Sequence, residues 1–333
     1  MKKRNLALAF AGAIGAAVAV KMLTRSRTSE WNEDVAHAEN SYFVNVDGIK
    51  IHFQQFGDEA GPTILLIHGY TASTYVWNTT APLLADAGFN VIAIDLIGFG
   101  YSEKPRWFEY SIESQARMVS RFMDRIGIGR ATVVGSSYGG AVAASIALDY
   151  PERVEKLVLV DAVCNDGPKN HPLMRLAAFP GIGEALTPFV LDSKRFAFSR
   201  MHSTLAPANH HLITQERVDS TVRPLSAADA HHSVLATSRN WHAMRIERDA
   251  NLINQPTLII WGEEDTVVPL RDGDSLHRSI LNSRFVVIPD CGHVPQEEKT
   301  ELFSELVGSF CRSKKGKIEG KGDHRFKVAE PLV

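Results

Sequence analysis

Short, near-continuous apolar runs recur along the chain at residues 63–67, 91–94, 131–134, 154–160, 257–261 and 285–288. Runs of this length, rich in β-branched residues and apolar on both alternating faces, are what strands covered by helices on both sides require. Between them the pattern changes to helical spacing. A helix is predicted around 77–87, closed by Gly88. Another runs from a Ser111 cap to about Ile126, and an alanine-rich one starts near Ala141. Two more are predicted near 272–281 and 297–311. Upstream, residues 42–46 and 49–53 alternate about an Asp47-Gly48 pair, the signal of a β-hairpin. Strand and helix thus alternate, which predicts an α/β protein with a doubly wound, mostly parallel sheet.

The alternation stops after Asp161. Residues 162–251 are helical in pattern, broken by prolines and without a buried strand signal, and are expected to form an inserted helical cap. The sheet domain is therefore expected in two pieces, 41–161 and 252–312. Residues 313–333, rich in Lys, Gly, Glu and Asp, are expected to be a flexible tail. At the other end, Met1-Lys2-Lys3-Arg4 precedes an uncharged run over 5–20, followed by Lys21, Arg25 and Arg27. Residues 1–23 read as a signal or membrane anchor. The flanking charges favour a retained single-pass anchor, while Ala17-Val18-Ala19 fits a cleavage site that would make the protein exported, periplasmic or secreted. Residues 24–40 read as a polar linker.

Composition narrows the function. The 333 residues, 44% hydrophobic, suffice for a large core, and 36 basic against 38 acidic residues give no field for a nucleic-acid backbone. Three cysteines without C-x-x-C spacing argue against a disulfide framework or a structural zinc site.

Chemistry is concentrated where strands end. Thr132-Val133-Val134-Gly135-Ser136-Ser137-Tyr138-Gly139-Gly140 reads as strand, tight turn and helix, with glycine two places before and after Ser137. That G-x-S-x-G spacing makes Ser137, not Ser136, the candidate nucleophile. A neutral serine hydroxyl needs an imidazole to take its proton and a carboxylate to orient that imidazole. Asp265 follows one later strand and His293 the next, so both would reach the same sheet edge. Asp161, also at a strand end, competes for the acid's role. Glu263 and Glu264 can equally be solvated, and Asp95 reads as shaping its own loop. His68 reads as packing beneath the turn that follows it. The pairs His210-His211 and His231-His232 do not suggest a metal site, because neighbours on a helix point apart. No metal or other cofactor is expected.

Five motifs in order resemble the α/β-hydrolase superfamily: His68-Gly69, Asp95-x-x-Gly98-x-Gly100-x-Ser102, Gly135 to Gly139, Trp261-Gly262-x-x-Asp265-x-x-x-Pro269 and Gly292-His293. The resemblance covers the sheet domain. It implies Ser137 as nucleophile, His293 as base and Asp265 as orienting acid, with the backbone N–H groups of Tyr70 and Tyr138 as the oxyanion hole. Dehalogenase and epoxide-hydrolase relatives carry an aspartate where Ser137 stands. The latter also use cap tyrosines, and all seven tyrosines lie at or before Tyr150. The expected function is a carboxylesterase or monoacylglycerol-lipase-like serine hydrolase acting on a small ester. Leu173 to Phe179 and Ile182 to Leu191 would offer apolar surface to an acyl chain. The alternatives are a carbon–carbon bond hydrolase of ring-cleavage products, a cofactor-free haloperoxidase-like activity, and a non-catalytic ligand receptor on a hydrolase frame.

Overall fold

The computed structural model describes residues 40–168, 170, 172–227, 229–313 and 326–329. The hairpin is present as β1 (Ser41–Val46) and β2 (Ile49–Phe56), antiparallel about the Asp47-Gly48 turn. The apolar runs become β3 (Thr63–Ile67), β4 (Asn90–Ile94), β5 (Ala131–Ser136), β6 (Val154–Val160), β7 (Thr257–Gly262) and β8 (Ser283–Ile288). The nine-stranded sheet has the order β1-β2-β4-β3-β5-β6-β7-β8, closed by β9 (Lys327–Ala329), and is parallel from β4 through β8.

The reason for the continuous apolar runs is visible on β3. Ile64 and Leu66 pack to one side with Trp77 and Phe303, while Leu65 and Ile67 pack to the other with Ala144 and Phe122. The flanking helices are α1 (Thr80–Asp86), α2 (Ile112–Arg125), α3 (Tyr138–Asp149), then six in the insertion. Those are α4 (Pro172–Ala178), α5 (Ile182–Leu191), α6 (Lys194–Thr204), α7 (Gln215–Leu225), α8 (Ala230–Arg239) and α9 (Met244–Asp249). After β7 come α10 (Leu270–Ser279), α11 (Pro295–Glu298) and α12 (Thr300–Arg312). Helix α2 starts where Ser111 accepts the Ser114 N–H at 3.1 Å, and it buries Ile112, Ala116, Val119 and Phe122.

Several expectations are corrected. The helix expected over 77–87 is a short 3₁₀ turn, Thr74–Trp77, followed by α1, because the Asp95 carboxylate accepts the Thr74 N–H at 2.6 Å and fixes an earlier turn. The tail is not wholly without structure: β9 pairs antiparallel with β8, and the preceding Phe326 is buried against the core. Most of the apolar residues of α4 and α5 do not form an acyl-chain wall, although Met174 of α4 lines the cavity beside Ser137. Leu176, Phe179, Leu186 and Phe189 are exposed, since α5 turns its smaller Gly183, Thr187 and Pro188 inward. The expected signal or anchor over 1–23 and nearly all of the linker lie outside the described residues. The membrane-anchored localisation is corrected as well: no helix among the described residues is long and apolar enough to cross a membrane. The longest of them, α2, has 14 residues where a span needs about 20.

Candidate active site

Ser137 sits between β5 and α3 with φ 55° and ψ −119°, a backbone conformation that costs a non-glycine residue on the order of 1–3 kcal/mol. The neighbouring glycines make the turn possible by close approach. A Cβ at Gly135 would lie 2.2 Å from the Gly139 carbonyl oxygen, and one at Gly139 would lie 2.4 Å from the His68 carbonyl oxygen. The hydroxyl is thereby held above the C-terminal sheet edge, with Ser137 N–H donating to Val160 O at 2.9 Å.

His293 arrives from the loop after β8. Its Nε2 is 2.9 Å from Ser137 Oγ, and its Nδ1 is 2.8 Å from Asp265 Oδ2. A carboxylate can only accept. Asp265 therefore accepts a hydrogen bond from the Nδ1–H group and leaves Nε2 to accept from the serine. The other oxygen, Asp265 Oδ1, accepts the N–H groups of Val267 and Val268 at 2.7 and 3.1 Å, so the carboxylate cannot turn. The three residues singled out in sequence form one hydrogen-bonded chain, with Asp265 and His293 lying 128 and 156 positions after Ser137.

Asp161, the competing acid, is also close. The ligand atoms of Asp161, Asp265 and His293 lie within 4.8 Å of one another. Asp161 Oδ1 accepts the Gly262 N–H at 2.9 Å, whereas Oδ2 is buried without a donor. Burial, then the charge of Asp265, raises its carboxyl well above the ordinary carboxylate range, which favours its neutral form beside Asp265. It supports the acid rather than replacing it. These three side chains have the donor types for a metal ion, but both ring nitrogens of His293 are already engaged.

The turn after β3 lies against the serine. A Cβ at Gly69 would meet Ser137 Cβ at 3.1 Å, which brings the Tyr70 backbone next to the nucleophile candidate; Tyr138 follows it in the chain. His68 braces this turn from below. Its Nδ1 donates to Gly69 O at 2.8 Å and its Nε2 accepts the Leu96 N–H at 3.1 Å. Asp95 accepts from His52 at 2.7 Å as well as from the Thr74 and Tyr101 N–H groups, so its role is to shape the surrounding loops. The Tyr70 hydroxyl donates to Val234 O of α8 at 2.8 Å. Tyr70→Phe should cost about 1 kcal/mol of stability from that bond while changing kcat by less than about tenfold, since a backbone N–H survives the substitution. Thermal unfolding beside steady-state kinetics checks this; a drop of a hundredfold or more contradicts the backbone assignment.

Two acids escaped the sequence reading. The buried Glu298 accepts N–H groups from Gly292 at 3.0 Å, Val294 at 3.3 Å and Ala206 at 2.9 Å, tying the His293 loop to the insertion. The sequence signal was Pro295 followed three residues later by a carboxylate, a side chain placed to reach back to free N–H groups at a helix start. Glu297, 2.9 Å from Arg217, lines the cavity beside Ser137. Burial pushes it up to about 7 despite the arginine, with Glu298 adding to the rise. Its contribution to stability is complete below the unfolded carboxyl pKa of about 4.3 and is lost as pH rises through the folded value, by on the order of 3 kcal/mol. Unfolding free energies from urea titrations should accordingly fall from pH 4.5 to 7.5 more steeply in the wild type than in Glu297→Gln, by about that amount; parallel profiles contradict it.

The cavity has a volume of about 810 Å³ and reaches Ser137 and His293; Val163, Met174, Met201 and Trp241 supply much of its apolar wall. Trp241 also packs against Tyr70 and Tyr138, with ring centroids at 5.5 and 5.0 Å. It is large enough for a small organic substrate.

A parallel sheet with a serine on the turn after β5, facing a histidine and a carboxylate from later strand ends, defines an α/β-hydrolase. A family model described as alpha/beta hydrolase fold matches residues 62–300, and the chain belongs to that family. It is a hydrolase, not a bare receptor frame. It is 30% identical over 272 residues to the uncharacterized hydrolase YugF of Bacillus subtilis (strain 168), covering 80% of this chain and 96% of that protein. It is 29% identical to the 2-hydroxy-6-oxononadienedioate/2-hydroxy-6-oxononatrienedioate hydrolase of Burkholderia vietnamiensis (strain G4 / LMG 22486), over 84% of this chain and 99% of that one. Among solved structures it is similar to a bacterial membrane phospholipase A, with a TM-score of 0.66 and 26% identity, covering 92% and 97% of the two chains.

Proposed function

We propose that this hydrolase cleaves carboxylic esters through an acyl-enzyme on Ser137. The observation that carries the reading is the unbroken chain from Ser137 Oγ to His293 Nε2 at 2.9 Å and from His293 Nδ1 to Asp265 at 2.8 Å. Ser137 attacks the carbonyl as His293 takes its proton, the tetrahedral oxyanion is held by the Tyr70 and Tyr138 backbone N–H groups, and His293 then protonates the departing alcohol. Water repeats the sequence on the acyl-enzyme. Asp265, held against His293 Nδ1, faces the imidazolium that forms at each step with a fixed counter-charge. The mostly apolar cavity suits the organic part of an ester.

The second reading is carbon–carbon bond hydrolysis of a ring-cleavage product, supported by likeness to the Burkholderia vietnamiensis relative named as a 2-hydroxy-6-oxononadienedioate hydrolase. The same three residues would serve it, with a carbanion instead of an alkoxide as the group to be protonated. Turnover of p-nitrophenyl esters of increasing chain length, run beside a 2-hydroxy-6-oxo-dienoate, separates the two. Ester kcat/KM above that for the diketone supports the first reading, and the reverse order overturns it.

A further inference from the structure

The cavity beside Ser137 holds three arginines whose charges are met differently. Arg217 pairs with Glu297 at 2.9 Å, and Arg271 stands 3.8 Å from Asp272. Arg200, on α6, has no carboxylate partner among the described residues; its Nη1 donates to Thr71 Oγ1 at 2.7 Å. A guanidinium offers five N–H donors, so most of its hydrogen-bonding capacity is left to the cavity. A charge drawn partly out of water without a counter-ion is costly unless a ligand supplies one.

Its position ties it to the reacting centre. Thr71 has a left-handed φ of 57°, unusual for a β-branched residue, and its hydroxyl donates to Tyr70 O at 2.7 Å while accepting from Arg200. Arg200 and the turn that carries the Tyr70 N–H are thus one hydrogen-bonded unit, and Gly69 of that turn abuts Ser137. We propose that Arg200 is the counter-ion site for a carboxylate on the substrate, so that the preferred ester bears a negative charge near the scissile carbonyl, as the half-ester of a dicarboxylic acid does. The proposal rests on the ester reading above. One guanidinium without a carboxylate partner among the described residues matches one negative charge, and its planar fork matches a carboxylate.

The test is kcat/KM for monomethyl glutarate and methyl butyrate, followed by pH-stat, in the wild type, Arg200→Met and Arg200→Lys. The wild type should prefer the anionic ester by about tenfold or more, mostly through KM, and Arg200→Met should collapse that ratio by about tenfold, with Arg200→Lys in between. A ratio unchanged in both variants, or an equal loss on both esters, overturns the proposal, because Arg200 would then only brace the Thr71 turn. Should Arg200→Met not fold, inhibition of wild-type methyl butyrate hydrolysis by glutarate and by glutaramide decides. Tighter inhibition by the dianion supports the proposal, and equal inhibition overturns it. If the wild type cleaves neither ester but does cleave the diketone, the ester reading fails on its own, and the same inhibitor pair, run on diketone turnover, still judges Arg200.

Discussion

Replacing Ser137 by alanine should lower kcat on an activated ester by about 10⁶-fold, because the only oxygen within reach of His293 Nε2 in the hydrogen-bonded chain is removed and no acyl-enzyme can form. The loss should leave the fold in place. Among the described residues Ser137 Oγ bonds only to His293, so its deletion leaves no other buried polar group without a partner, and the strained φ of 55° is as tolerable to alanine as to serine. The expected result is therefore a variant with wild-type thermal unfolding and activity near background. What remains should come from the cavity and the oxyanion donors, which still bind and polarise an ester. Retention of more than about one per cent of wild-type kcat would remove the serine from the mechanism.

The second large effect is expected for Asp265→Asn, about 10⁴-fold in kcat. The geometry says why an amide of the same shape fails. Asp265 Oδ1 accepts the Val267 and Val268 N–H groups, so the asparagine must keep its oxygen there and turn its NH₂ toward His293. That donor requires His293 Nδ1 to be an acceptor, which moves the ring proton to Nε2 and leaves no base for Ser137. The neighbouring Asp161 does not rescue the variant, since its Oδ1 is occupied by the Gly262 N–H and burial disfavours its charged form. Steady-state kinetics on Asp265→Asn and on Asp161→Asn check both statements. The first should fall by the stated factor, and the second by much less, on the order of tenfold, because Asp161 acts through Asp265. Equal losses would make Asp161 the acid.

Much of the sheet was legible because a strand buried on both faces has to be apolar at nearly every position, as 63–67 and 257–261 are. The turn at Ser137 was legible for a different reason: two close backbone approaches exclude any Cβ at Gly135 and Gly139, and that exclusion leaves a pattern five residues long. Asp265 and His293 could be found because parallel strands all end at one edge. Other features depend on contacts that local pattern does not record. Arg200 is one arginine among many until α6 lays it against Thr71, and Glu298 looks like a solvated helix residue until its carboxylate is found among the Gly292, Val294 and Ala206 N–H groups. The exposed apolar residues of α4 and α5 misled because hydrophobicity alone does not say which side of a helix faces the cavity. Strand β9 was missed because a three-residue edge strand led by Lys327 carries too little apolar signal to stand out from the charged segment before it.

The central claim is that His293 makes Ser137, and no other residue, a nucleophile. Incubation with a fluorophosphonate, followed by peptide mass mapping, tests it directly. The account predicts a single adduct on Ser137 in the wild type, absent from Ser137→Ala and strongly slowed in folded His293→Ala. An adduct on a different residue, or no adduct on the folded wild-type protein, would contradict it.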